Sequence, residues 1–120
     1  MESDCSLKCA TRTRLLGRLV DRVCKARSEI HGFGCFARVG FDAGDFIGTY
    51  EGPEVEEDGT YVLWIYDAAG GVLSARRGSN LLRWLNHSDD PNAEFDRFDL
   101  YASRAIAPGE EITIDYSGIS

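Results

Sequence analysis

Residues 83–92, RWLNHSDDPN, place Asn86, His87 and Ser88 directly after an apolar pair and just before two aspartates and Pro91-Asn92. Asparagine and histidine each donate and accept hydrogen bonds, so a buried Asn86-His87 pair needs partners for all of that capacity and could hold a polar ligand. Taken alone, the same residues also suit a polar turn that caps a short helix and opens the next loop. About seventeen residues further on, GEEITIDY alternates Ile112 and Ile114 with Thr113 and Asp115, as a half-buried strand does, and ends on Tyr116. A tyrosine at a strand end is usually core or surface filler.

Upstream, HGFGCFA (His31 to Ala37) sets two glycines around one aromatic, which lets the backbone turn tightly and approach a ligand without Cβ atoms in the way. Gly32, Gly34 and Ala37 formally match the dinucleotide fingerprint, but that motif needs a strand before it and a helix after it. Here CFARVGF follows and reads as a strand, so nicotinamide or flavin binding is not expected, and a plain turn between strands remains open. The chain offers no convincing acid–base dyad.

The elements that must position these residues are mostly strands. CFARV, DFIGTYE and TYVLWIY are short, rich in aromatic and β-branched residues, and separated by acidic or glycine-containing turns. AEFDR and FDLYASRAI read as a hairpin or bent pair, followed by the turn Ala107-Pro108-Gly109 and the last strand, EITIDY. Leu15, Leu16, Leu19 and Val20 could start a short helix or lead into a strand near Leu19 to Ala26, and Asn80 to Leu85 is a helical candidate of a turn or two. The expected fold class is mainly β, one domain of several small sheets without long crossover helices.

The 120 residues allow one domain, and 43% apolar residues suffice for one core. No run approaches the roughly 18 apolar residues of a membrane span, and the first residues lack the apolar middle of a secretory signal. A soluble intracellular protein is expected, cytoplasmic in a bacterium or virus and nuclear or cytoplasmic in a eukaryote. Cys5 and Cys9 could be half of a zinc site, but no second Cys/His pair follows at finger spacing, so no metal is expected and the four cysteines read as reduced thiols. Residues 1–27 carry seven basic and three acidic side chains, a net +4, while residues 28–120 carry a net −11. Acidic groups cluster at Glu54, Glu56, Glu57 and Asp58 and again between Asp89 and Asp99. Such a field is a soluble surface, and it also attracts a basic peptide and repels nucleic-acid phosphates, so neither nucleic acid nor membrane is an expected partner.

The two late segments, in this order and spacing, resemble the paired signatures R-F-x-N-H-S-C-x-P-N and G-E-E-[LI]-x-x-D-Y of the SET-domain methyltransferases. HGFGCFA is similar to that family's early G-x-G segment, GTYEG to its following Tyr-x-Gly strand, and VLSARRGSNLLRWLNHS to its run into the Asn-His motif. The resemblance covers about Val20 to Tyr116, with residues 1–18 as an N-terminal extension and 19–120 as the domain. It implies a β-clip fold with a C-terminal pseudoknot, S-adenosylmethionine as cofactor and a protein lysine as methyl acceptor. Position by position, it implies that Gly32, Phe33 and Gly34 face the methionine part of the cofactor, with Arg83 beside them. Asn86 would bond the cofactor's amino group, and His87 would hold the adenine through its main chain and tie the site together. Tyr116 would be the catalytic tyrosine and also a cofactor contact, Tyr50 would share the catalytic role while lining the lysine channel beside it, and Trp64, Phe95 and Ile114 are candidate channel walls or plain core.

Two departures matter. The family's cysteine after Asn-His-Ser is Asp89 here, and only Ser-Gly-Ile-Ser follows Tyr116, so both halves of the zinc site found in many members are missing. A compact, metal-free variety is expected, with a second subunit supplying the missing channel wall in a possible homodimer. The acidic stretch Glu54 to Gly71 implies a basic, histone-like substrate. The competing readings are a SET-like module that binds cofactor or peptide without turnover, and a non-enzymatic β-rich interaction domain.

Overall fold

A computed structural model describes residues 18–116. The helix start at Leu15-Leu16, the Cys5/Cys9 half-site and residues 1–17 of the N-terminal extension lie outside the described residues.

Apolar residues at alternate or consecutive positions of short segments build nine strands. They are β1 (Val23–Arg27), β2 (Phe33–Ala37), β3 (Phe46–Thr49), β4 (Val62–Tyr66), β5 (Val72–Arg77), β6 (Asn86–His87), β7 (Ala93–Asp96), β8 (Asp99–Ala102) and β9 (Glu111–Ile114). A four-residue helix, α1 (Leu19–Arg22), precedes β1, and one 3-10 turn spans Leu81–Trp84. The helical candidate at Asn80 to Leu85 is that 3-10 turn: Asn80 caps it, its side chain accepting from the Leu82 amide at 3.3 Å, and Leu85 already leaves it. At the other candidate, both alternatives occur in succession, α1 running directly into β1.

The strands form a four-stranded sheet in the order β1-β2-β9-β6, a three-stranded sheet β3-β8-β7 and the hairpin β4-β5. β9 pairs antiparallel with β2 and parallel with β6, which sets Asn86 opposite Thr113 and His87 opposite Ile114. β9 has neighbours on both edges, and Ile112, Thr113 and Ile114 are all buried, so both of its faces are covered. The buried polar Thr113 is satisfied by Asn92, only 2% exposed, whose Oδ1 accepts the Thr113 amide at 2.9 Å while its Nδ2 donates to the Glu111 carbonyl at 2.8 Å. These ties hold the segment after Asn-His-Ser against β9, which is the contact the expected pseudoknot requires.

One hydrophobic core joins the sheets through Val23, Cys35, Ile47, Leu82, Leu100, Ile106 and Ile112, each at most 2% exposed. The expectation of reduced thiols holds at Cys35, which is free and buried, and is corrected at Cys24, which is disulfide-bonded. A bridge depends on which cysteines the fold brings within reach, and spacing along the chain does not report that. No helix among the described residues is long and apolar enough to cross a membrane.

Candidate active site

A cavity of about 690 Å³ opens where β2, β4, the 3-10 turn and β9 converge. Gly32, Phe33, Tyr50, Trp64, Arg83, Asn86, Phe95, Ile114 and Tyr116 all border it. Residues more than 80 positions apart in the chain thus meet at one concave surface of the size that holds a small molecule.

On the β2 side, Gly32 adopts φ +49°, and nothing lies within 4 Å of where its Cβ would stand. The backbone there borders the cavity without a side chain and in a conformation that disfavours one. Gly34 serves differently. It is buried, and a Cβ on it would come within 2.2 Å of Glu111 Oε2, so it makes room for that carboxylate. β2 is a strand and no helix follows it, so these glycines do not form a dinucleotide fingerprint.

Asn86, 8% exposed, is the centre of the polar wall. Its Nδ2 donates to the carbonyls of His31 and Phe33, each at 3.1 Å, and to Glu111 Oε2 at 2.9 Å. Both Glu111 oxygens also accept from the Ser28 hydroxyl, at 2.8 and 2.9 Å. Sequence reasoning missed Glu111: its only signal was its place in the Gly-Glu-Glu run, where an acidic side chain reads as solvated. With Nδ2 committed to the protein, the Asn86 amide has only Oδ1 to offer a ligand's amino group.

Arg83 stacks its guanidinium 4.9 Å from the Trp84 ring centroid and 5.7 Å from that of Tyr61. Its Nε is buried and has no hydrogen-bond partner among the described residues. Such a buried donor is costly unless something accepts from it, and the Arg83 residue lines the cavity. Trp84 packs edge-on against both Phe33 and Tyr61, which completes an aromatic wall; Trp84 and Tyr61 carried no signal in the sequence beyond their apolar character.

Two phenols close the other end. Tyr50 is 6% exposed, and its hydroxyl donates to the Tyr61 carbonyl at 2.5 Å. Burial, together with the neighbouring Tyr116 and Tyr61 phenols, pushes it up from 10.0 to about 12, although the Gly78 backbone and Arg83 pull the other way. Tyr116 donates its hydroxyl to the Leu85 carbonyl at 2.6 Å and its amide to His87 Nδ1 at 3.0 Å, and partial burial raises its phenol as well. Both phenols therefore remain neutral near pH 7 with their protons committed to backbone carbonyls, so each oxygen faces a ligand as an acceptor. Of the expected channel walls, Ile114 is buried, Phe95 meets the Tyr50 ring edge-on at 5.8 Å, and Trp64 turns its indole N–H to Asp58 at 3.1 Å.

His87, the next residue of β6, is not among the residues that border the cavity. Its ring packs 5.4 Å from the Tyr116 ring, with Nε2 3.0 Å from Asp89 Oδ1. It ties the site together from behind.

Residues 32–117 match the SET domain family. This chain belongs to that family. Among its relatives is the histone-lysine N-methyltransferase TRX1 of Oryza sativa subsp. japonica, 32% identical over 123 residues that cover 82% of this chain and 12% of that protein. The histone-lysine N-methyltransferase Set2 of Drosophila melanogaster is 29% identical over 111 residues, covering 75% of this chain and 5% of that protein. The chain thus spans a small part of the length of the curated relatives it matches. The structure of the Neurospora SET domain protein DIM-5, a histone lysine methyltransferase, superposes with a TM-score of 0.64 at 22% identity, covering 78% of this chain and 51% of that one. The mainly β architecture of small sheets is the SET-domain fold.

Proposed function

We propose that this SET domain transfers a methyl group from S-adenosylmethionine to the side-chain amine of a lysine in a basic protein segment. The observation that carries the reading is the pair Tyr50 and Tyr116, both bordering one cavity and both with their hydroxyl protons already given to backbone carbonyls.

The residues fit the cofactor. The cavity has the volume for a nucleoside-sized molecule, Arg83 on its wall offers a guanidinium charge to a carboxylate, and Asn86 Oδ1 offers an acceptor to an amino group. Gly32 and Phe33 border the same space, with the Phe33–Trp84 pair as an apolar platform. Bound there, the cofactor supplies an electrophilic methyl on a positively charged sulfur.

The protein's own residues position the amine. A free lysine has a pKa of about 10.4, and the nucleophile must be neutral. Phe95, Ile114 and Leu63 disfavour the ammonium form by desolvation. The oxygens of Tyr50 and Tyr116 accept from the amine's N–H groups and leave its lone pair to point along the line of displacement. No covalent intermediate on the protein is needed, and positioning with electrostatics carries the rate.

The acidic loop supports a basic substrate. Trp64, on the cavity wall, holds Asp58 by its indole N–H, which ties the run Glu54 to Asp58 to the cavity's lip. Labelled-methyl incorporation into two lysine peptides of equal length, one flanked by Arg/Lys and one by Ser/Gly, tests this. The basic peptide is expected to be the better substrate at low salt with the advantage shrinking as salt rises, and equal labelling would overturn the assignment of the loop.

A further inference from the structure

We propose that Asp89 is a positioning residue for Tyr116, acting through the tautomer of His87. The inference rests on Tyr116 being the methyl-transfer tyrosine.

A backbone amide can only donate. The Tyr116 amide lies 3.0 Å from His87 Nδ1, so that nitrogen must be the unprotonated one. A neutral imidazole then carries its single proton on Nε2, which must donate, and Asp89 Oδ1 stands 3.0 Å away as an acceptor. A second carboxylate pulls the other way. Asp115 Oδ1 is 3.8 Å from Nδ1, where it favours a proton on the nitrogen that Tyr116 needs bare. The two aspartates therefore compete for the position of one proton. Asp89 prevails because 3.0 Å is a hydrogen bond and 3.8 Å is not.

The reach of Asp89 is set by its turn. The Asp90 amide donates to the Ser88 hydroxyl at 3.0 Å, the Ser88 amide donates to the Ile114 carbonyl at 3.0 Å, and Arg104 donates to the Asp90 carbonyl at 3.1 Å. Residues 88–90 are thus pinned both to β9 and to the loop after β8. Asp89 itself points outward, its side chain fully exposed beside a His87 ring that is 40% exposed. Its influence is accordingly modest and sensitive to salt. Among the described residues, the groups that face His87 are Asp89 from its own turn and Asp115 and Tyr116 from the segment after β9.

The test combines ring-nitrogen NMR of His87, amide exchange at Tyr116 and steady-state kinetics, on the full chain with Asp89→Ala and Asp89→Glu. In the unaltered protein His87 is expected as the Nε2–H tautomer. Asp89→Ala is expected to shift population to Nδ1–H, to speed Tyr116 amide exchange about twofold to fivefold, and to lower kcat by a similar factor with KM for the cofactor unchanged, the scale of one exposed charge pair. Asp89→Glu is expected to restore all three. An unchanged tautomer and unchanged Tyr116 exchange in Asp89→Ala would overturn the proposal, whatever the kinetics. If the unaltered chain shows no methyl transfer, the function reading fails, while the NMR and exchange measurements still decide the role of Asp89.

Discussion

Asn86 Nδ2 lies 2.9 Å from Glu111 Oε2, and this one hydrogen bond joins the Asn-His-Ser segment to the Gly-Glu-Glu segment. Through it the carboxylate also gathers Ser28 from the end of β1, while Asn86 reaches the carbonyls of His31 and Phe33. Three separate stretches of chain are thereby fixed around the polar wall of the cavity.

Removing that carboxylate leaves a buried amide and a hydroxyl without their shared acceptor. Glu111→Ala is expected to cost about 1.5–3 kcal/mol, the scale of a hydrogen bond to a charged group, because Asn86 Nδ2 keeps the His31 and Phe33 carbonyls, and to weaken S-adenosylmethionine binding. Denaturant titration and calorimetry check it. Stability and cofactor affinity both within error of the unaltered protein would contradict the role given to Glu111.

Gly78 controls the other end of the site. A Cβ there would stand 2.4 Å from the Tyr50 hydroxyl, and Tyr50 has no room to yield because its ring packs on Phe95 and its hydroxyl is held by Tyr61. Gly78→Ala is expected to lose about 1–3 kcal/mol of stability, as overpacked cores do, and to lower kcat more than it raises KM for the cofactor. The measurement is a denaturant midpoint paired with kinetics.

The raised Tyr50 phenol makes stability fall in alkali. In the unfolded chain the phenol ionises near its ordinary 10.0, whereas in the fold it keeps its proton up to about 12. Between those values the folded state binds more protons than the unfolded one, so the stability gained from neutral Tyr50 is complete below pH 10 and is lost as pH rises toward 12. Tyr116 adds in the same direction. Tyr50→Phe is expected to flatten this decline in a pH series of unfolding midpoints, and an equal decline in both proteins would show that the phenol is not responsible.

Much of this was legible in the sequence because local chemistry wrote it. β2, β3, β4 and β9 follow from alternating or β-branched runs, and the site residues from their two motifs. β5 was harder: Val72, Leu73 and Ser74 are exposed or half-exposed, so no apolar alternation marks the strand, and only its pairing with β4 makes it one. The two-residue β6 has no periodicity to read and exists because β9 lies beside it in parallel. Gly34 and His87 also have structural contacts that their motifs do not announce. Each faces a neighbouring side chain, Glu111 or Tyr116, and a one-dimensional pattern does not distinguish a residue that touches a ligand from one that holds the residue that does.

The most direct test of the central claim is labelled-methyl transfer to a basic lysine peptide by the unaltered chain and by Tyr116→Phe, with S-adenosylmethionine binding measured in parallel. The geometry predicts methyl-lysine formation by the unaltered chain. It also predicts a loss of at least about 100-fold in the variant, with cofactor affinity retained, because the hydroxyl orients the amine and does not hold the cofactor. Turnover by Tyr116→Phe at the unaltered rate, or label recovered on a residue other than lysine, would contradict it.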